Sequence, residues 1–159
     1  MKDKRDLQIR EAELQDAAQM MDLIKELALF EKSSEQVTVS LPHFVDSGFG
    51  EKPVWWAIVA EHTDTVNKTK SIIGFALCYV RYSTWKGQRM YLEDIIVTEQ
   101  WRGKGVGSSL MEALIDVARQ KKFTGMMWQV LDWNEPAINF YKKYNAHFDS
   151  EWINVSLEL

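Results

Sequence analysis

Residues 90–110 run MYLEDIIVTEQWRGKGVGSSL. Met90 opens an apolar, β-prone run that lasts to Val97. The chain then turns polar, passes through Arg102-Gly103-Lys104-Gly105-Val106-Gly107 and enters an amphipathic helix. Strand, glycine loop and helix in that order make a phosphate cradle. Backbone N–H groups and the positive end of the helix converge on one place, and the glycines let a ligand approach the backbone. Glu93 and Asp94 stand just upstream on the same strand. An anion site next to carboxylates points to a cofactor with phosphates and a cationic or proton-releasing substrate.

Two common phosphate loops do not fit. The Walker pattern requires Gly-Lys-Ser/Thr, and here Gly105 follows Lys104. The dinucleotide fingerprint, started at Gly103, meets Ser108 where Gly or Ala is needed, so the match is partial. Composition narrows the class further. A chain of 159 residues is long enough for one domain with a sizeable core, and a single domain over 1–159 is expected. Apolar content of 46% and charged content of 26% suit an ordinary globule. A net charge of −4 argues against a basic face for nucleic acid and favours cationic partners. The lone cysteine, Cys78, sits in an apolar run and reads as a buried, inert thiol. No segment has the length of a signal peptide core or a membrane span. These features imply a reduced, cytoplasmic protein with no membrane partner.

Outward from residues 90–110, the apolar pattern gives the remaining elements. Residues 7–10 form a short first strand. Asp16 is an N-cap candidate with Gln19 as its capping-box partner, and Met20, Leu23, Ile24, Leu27 and Phe30 follow at helical spacing to Glu31. Ser40 with Pro42 starts a short helix that stops near Gly48. Residues 54–61, 71–82 and 89–97 make an antiparallel meander, joined by a polar loop and by a tight turn containing Trp85 and Gly87. Beyond the glycine loop, Leu110, Met111, Leu114, Val117 and Ala118 mark the packed side of a helix. The strand at 124–130 should return parallel to the central one. Asn134 caps a helix over 137–144 with Pro136 in its first turn, and Asn145 suits a left-handed end. Residues 147–149 and 152–159 read as two last strands. The expected fold is α/β: a mixed, mostly antiparallel sheet of about seven strands flanked by about four helices.

The chemistry of these groups suits amine transfer. An alkyl ammonium near pKa 10.4 is neutral in roughly one molecule in a few thousand at pH 7, a barrier of about 4–5 kcal/mol. Glu93 is able to take that proton, directly or through a water; its other reading is a strand carboxylate in an ion pair. On an ideal strand Asp94 faces away from Glu93, so a shared site requires a bulge. A phenol such as Tyr141 suits protonation of a departing thiolate, though sequence physics alone favours a core or surface tyrosine there. Phe30 and Glu31 read either as a last core contact and a solvated charge or as site residues. His43, His62 and His147 form no metal pair, so no metal is expected.

The chain resembles the GNAT superfamily of N-acetyltransferases, in its diamine N-acetyltransferase branch, over nearly its whole length. The resemblance rests on Leu23-Ile24-Lys25-Glu26-Leu27-Ala28, Asp46 to Gly50 with Pro53, and Tyr91-Leu92-Glu93-Asp94. It extends through the loop Arg102-x-x-Gly105-x-Gly107 and Trp133-Asn134-Glu135-Pro136 to Tyr141-Lys142. It implies acetyl transfer from acetyl-CoA to a primary amine by direct attack in a ternary complex. Tyr141 would be the general acid and Glu93 would help deprotonate the amine. Ile95, Ile96 and Val97 would meet the pantetheine and thioester, and Arg102, Gly103, Lys104, Gly105, Val106, Gly107 and Ser108 the pyrophosphate. Asn134, Glu135, Pro136 and Ala137 would contact the cofactor further along. Phe30, Glu31, Trp85, Glu93 and Asp94 would line the amine site, and a homodimer is implied. Polyamine-specific members carry an Asp in the turn that here reads Tyr82-Ser83-Thr84-Trp85-Lys86-Gly87. Losing that anion and adding Lys86 disfavours a multiply charged polyamine. The motif is similar to the thialysine N-epsilon-acetyltransferase type, whose substrate is a small amino acid. Two other readings stay open: a polyamine acetyltransferase proper, and a non-catalytic acetyl-CoA sensor module.

Overall fold

The computed structural model describes residues 6–159; the first five residues of the expected 1–159 domain lie outside the described residues. The chain divides into two compact units, one ending at Trp128 and the other Gln129–Leu159. The first holds β1 (Leu7–Glu11), α1 (Ala17–Phe30), α2 (Leu41–Phe49), β2 (Trp56–Thr63), β3 (Lys70–Ser83), β4 (Gly87–Val97), α3 (Val106–Gln120) and β5 (Met126–Met127). The strands lie in the order β1-β2-β3-β4-β5. The first four pair antiparallel, β2, β3 and β4 as a meander, and β5 returns parallel to β4, as a strand–helix–strand crossover should.

Alternation along the strands feeds two apolar layers. Ala57 and Val59 of β2, Phe75 and Leu77 of β3 and Ile96 of β4 pack with Ala17, Met20 and Leu23 of α1 and Phe44 of α2. Ile58, Ala76, Cys78, Met90 and Leu92 occupy the intervening positions and are buried. Helix α3 packs on β2, β3 and β4 and buries Leu110, Met111 and Leu114 completely. Each such side chain contributes about 1.5–3 kcal/mol by leaving water. Burial pushes the Cys78 thiol up to about 12, in keeping with an inert cysteine.

The start of α1 departs from expectation. Asp16 takes the N-cap position, but its side chain makes no cap bond to the helix and Gln19 is not its partner. Asp16 instead accepts from Arg10 Nη1 at 2.7 Å and from the Glu13 N–H at 2.8 Å. Gln19 Oε1 accepts from the Ile72 N–H at 2.9 Å and so ties α1 to β3. A half-buried arginine needs carboxylates more than a helix end needs a cap. At α2 the expected cap does form: Ser40 Oγ accepts from the His43 N–H at 3.3 Å, with proline in the first turn.

The second unit contains α4 (Glu135–Lys142), two residues earlier than its apolar pattern suggested. Asn134 Oδ1 accepts from the Ala137 N–H at 3.3 Å, and Asn145 adopts φ +54° as expected. The strand expected over 124–130 shrinks to Met126–Met127. The strands expected at 147–149 and 152–159 do not form, so the described residues carry five strands and four α-helices. Ile153, Val155 and Leu157 alternate as a strand should, yet all are exposed. Alternation makes a segment fit to be half buried; a ladder also requires a neighbouring edge, which the pattern does not contain.

Candidate functional site

The centre of the site is a fault in the register of β3 and β4. Leu77 pairs with Asp94, but the next residue, Cys78, pairs with Leu92. Glu93 is therefore the extra residue of a β-bulge, which breaks the alternation that would have sent the two carboxylates to opposite faces. Asp94 falls on the face of Leu77, toward α1, and Glu93 is exposed beside it. The Tyr79 hydroxyl donates to Glu93 Oε2 at 3.1 Å. Glu31, at the C-cap of α1, completes an acidic group with Glu93 and Asp94. Burial, then the charges of Glu93 and Glu31, push the Asp94 carboxyl up to about 6. Burial also raises Glu31. Such a site gains energy by receiving a cation.

The same strand leads into the glycine loop. Beyond Tyr91, no strand among the described residues pairs with β4 on the side of β5, because β5 pairs only with Met90 and Tyr91. That edge at Ile95, Ile96 and Val97 is free to meet an extended ligand, except that Val97 C=O already accepts from Arg102 Nε at 2.9 Å. Gly103 and Gly105 take φ values of +71° and +83°, a region costly for residues with a Cβ. At Gly103 an added Cβ would meet nothing within 4 Å, so the loop is open on that side. Gly105 is the N-cap of α3 and supplies no side-chain cap. The helix's own bonding starts with Ser109 N–H to Gly105 C=O at 3.1 Å. The amides of Val106, Gly107 and Ser108 thus precede the ladder, as a diphosphate cradle requires. Lys104 Nζ donates to Gln100 C=O at 2.6 Å and lies over the Trp101 ring.

Glu26 was not singled out by the sequence, yet it anchors this loop. It accepts from Thr98 Oγ1 at 3.0 Å and from the Glu99 N–H at 2.9 Å, and its Oε1 is 3.6 Å from Arg102 Nη2. These partners lie over seventy residues along the chain, so no local pattern reveals them.

Of the other residues expected in an amine site, Phe30 packs under the Arg102 guanidinium, 5.3 Å from its ring centroid. Trp85 stands 87% exposed at the tip of the β3–β4 hairpin. In the second unit, Asn134 and Tyr141 are buried, and Glu135 and Pro136 open α4 ahead of Ala137. Tyr141 packs edge-on to Phe140. His62 packs at a tilt against Trp101 with centroids 4.6 Å apart, and His43 lies 3.5 Å from Ser47 Oγ. Among the described residues no group of three metal-binding side chains occurs.

With this geometry in view, comparison with known proteins identifies the class. The sequence pattern of the acetyltransferase (GNAT) family matches residues 18–146. The chain is 39% identical over 155 residues to the thialysine N-epsilon-acetyltransferase of Mus musculus, spanning 94% of this chain and 91% of that one. It is 34% identical over 140 residues to the spermidine/spermine N(1)-acetyltransferase-like protein 1 of Homo sapiens, spanning 87% of this chain and 20% of that protein. A solved aminoglycoside N-acetyltransferase in complex with CoA shares the fold, with a TM-score of 0.73 at 17% identity over 96% of this chain and 95% of that one. The chain belongs to the acetyltransferase (GNAT) family, and with it to the acetyl-CoA-dependent N-acetyltransferases.

Proposed function

We propose that this chain transfers the acetyl group of acetyl-CoA to the primary amine of a small substrate, a thialysine-like amino acid or a diamine, by direct attack in a ternary complex. One observation carries the reading: the β4 bulge gathers Glu93 and Asp94 beside Glu31, on the strand that runs into the glycine loop. The residues present suit the cosubstrate. The unpaired amides at the start of α3 and the open side of Gly103 would take the pyrophosphate, with Arg102, Lys104 and Ser108 around it. The edge of β4 at Ile95 to Val97 would meet the pantetheine.

The carboxylates attract the substrate as an ammonium, which is not nucleophilic. Exposed Glu93 takes its proton, directly or through water, as the nitrogen attacks the thioester carbonyl. The carbon–sulfur bond breaks, the thiolate leaves, and Tyr141 returns a proton to it in the role the family resemblance gives that residue. Asn134, Glu135, Pro136 and Ala137 take the cofactor-contacting role, and Phe30 and Trp85 the amine-lining role, on the same basis.

CoA release against a panel of amines, among them thialysine, lysine, putrescine, spermidine and a peptide N-terminus, tests the reading. Glu93→Gln should lower kcat about a hundredfold with acetyl-CoA binding retained. Acetyl-CoA binding without turnover of any amine would instead support a sensor. The acidic group and the human relative favour polyamines as the second reading; preference for spermidine over thialysine would establish it. Gel filtration with light scattering tests the homodimer that the resemblance implies. A single buried cysteine suits the cytoplasm, which a localisation experiment checks.

A further inference from the structure

Beyond the bulge, the sheet face turned toward α1 continues as two cross-strand pairs, Tyr79 with Tyr91 and then Arg81 with Arg89. The tyrosine rings stack with centroids 5.0 Å apart and planes 29° apart. Arg81 Cζ lies 5.8 Å from the Tyr91 centroid, and at the other end the Tyr79 hydroxyl holds Glu93. One tyrosine pair is thus bracketed by an anion and a cation. Both charges act on the same phenols: Glu93 raises and Arg81 lowers the titration of Tyr79 and of Tyr91.

The fold gives little reason for Arg81. It is exposed, and among the described residues no carboxylate forms an ion pair with it. Its cross-strand neighbour is another arginine, a pairing that costs stability. Arg89 is accommodated elsewhere, its guanidinium lying so close over Gly125 that a Cβ there would come within 2.7 Å of it. Arg81 is left as a fixed cation at the rim of an acidic site.

We propose that Arg81 is a specificity-determining residue: it receives the carboxylate of a basic amino acid whose side-chain amine is presented to Glu93, with the Tyr79–Tyr91 pair beneath the chain between them. The dimensions agree. Arg81 and the Glu93 bulge stand on either side of the Tyr79–Tyr91 pair, two same-face steps or about 13 Å along the strand, which leaves roughly 3 Å at each end of an extended lysine-type chain for its contacts to the two charges. In a lysine-type amino acid six bonds separate the amine nitrogen from the carboxyl carbon, roughly 7–8 Å when extended. A diamine would set its second ammonium against the guanidinium. The inference rests on the acetyl-transfer reading above.

The test compares thialysine with bis(2-aminoethyl) sulfide, the same molecule without the carboxylate, in CoA-release assays of the full chain and its Arg81→Met variant. The wild type should prefer thialysine. In Arg81→Met, kcat/KM for thialysine should fall about tenfold, chiefly through KM, while that for the diamine rises, and Arg81→Lys should recover part of the loss. Equal changes on both substrates, or an unmoved ratio, overturn the inference, because a packing role does not sense the carboxylate. A wild-type preference for the diamine overturns it too and leaves acetyl transfer standing. No CoA release with either amine overturns both.

Discussion

Two groups of carboxylates sit where the two ends of α1 meet one sheet, and their electrostatics run in opposite directions. In the first, Arg10 bridges buried Asp16 and Glu61 at 2.7 and 2.6 Å, and Lys70 adds a contact to Glu61 at 2.9 Å. Two acids face two bases. Lys70 and then Arg10 hold Glu61 below the usual carboxylate range. Burial opposes the charge on Asp16, but Arg10 and the Glu13 N–H outweigh it and hold that carboxyl low as well. In the second group, Glu31, Glu93 and Asp94 have one another and little else, and Asp94 is driven up to about 6. The first group is electrically complete and fastens β1, β2 and the start of α1. The second is incomplete, and only a cation from outside completes it.

The largest effect should come from breaking the complete group. Arg10→Met strands buried Asp16 and leaves buried Glu61 with only the exposed Lys70, and should cost about 3 kcal/mol in chemical denaturation. A loss under 1 kcal/mol would mean that the two groups are not different in kind. Asp94→Asn should do the reverse, stabilising the protein by about 1–2 kcal/mol at pH 7 after allowance for partial exposure, while impairing turnover. The sign follows from its raised folded-state value. Between the ordinary aspartate pKa of about 3.9 and about 6, the folded chain holds a proton that the unfolded chain has lost, so stability falls as pH rises through that window. Thermal melts of Asp94→Asn and wild type should therefore draw together as pH drops through that window and coincide near pH 4. Asp16 and Glu61 have lowered values, so their contribution is present above about pH 4–5 and is lost on further acidification. The smallest effect is expected of Lys70→Met. Lys70 is 63% exposed and Glu61 keeps Arg10, so about 0.5 kcal/mol or less should be lost, and added salt should mask it.

The legible parts of the molecule were those written in short range. The glycine loop, the Ser40 and Asn134 caps, the left-handed Asn145 and the helical faces of α1 and α3 depend on residues within a turn of one another. The meander and the parallel return of β5 follow from strand and loop lengths. What stayed hidden depends on partners far away. Arg10 and Glu61 are 51 residues apart, and nothing local distinguishes either from a surface charge. Glu26 reads as one more polar helix residue until the loop after β4 folds onto it. A period of two says which residues share a face only while the register is unbroken. The sequence therefore made a shared site for Glu93 and Asp94 conditional on a bulge, and it took the ladder itself to show one. Tyr79 and Arg81 were missed for the same reason, since their partners Glu93 and Tyr91 lie on the next strand. At the other end of the chain, alternation at 152–159 suggested a strand that the described structure does not pair.

Cys78 lies in the middle of β3, fully buried between two paired strands, with its thiol held up to about 12. A small alkylating reagent cannot reach it, nor find it as thiolate, until the centre of the sheet comes apart. The chain thus carries its own clock: with one cysteine to label, the rate of alkylation under native conditions counts the openings of its most protected strand.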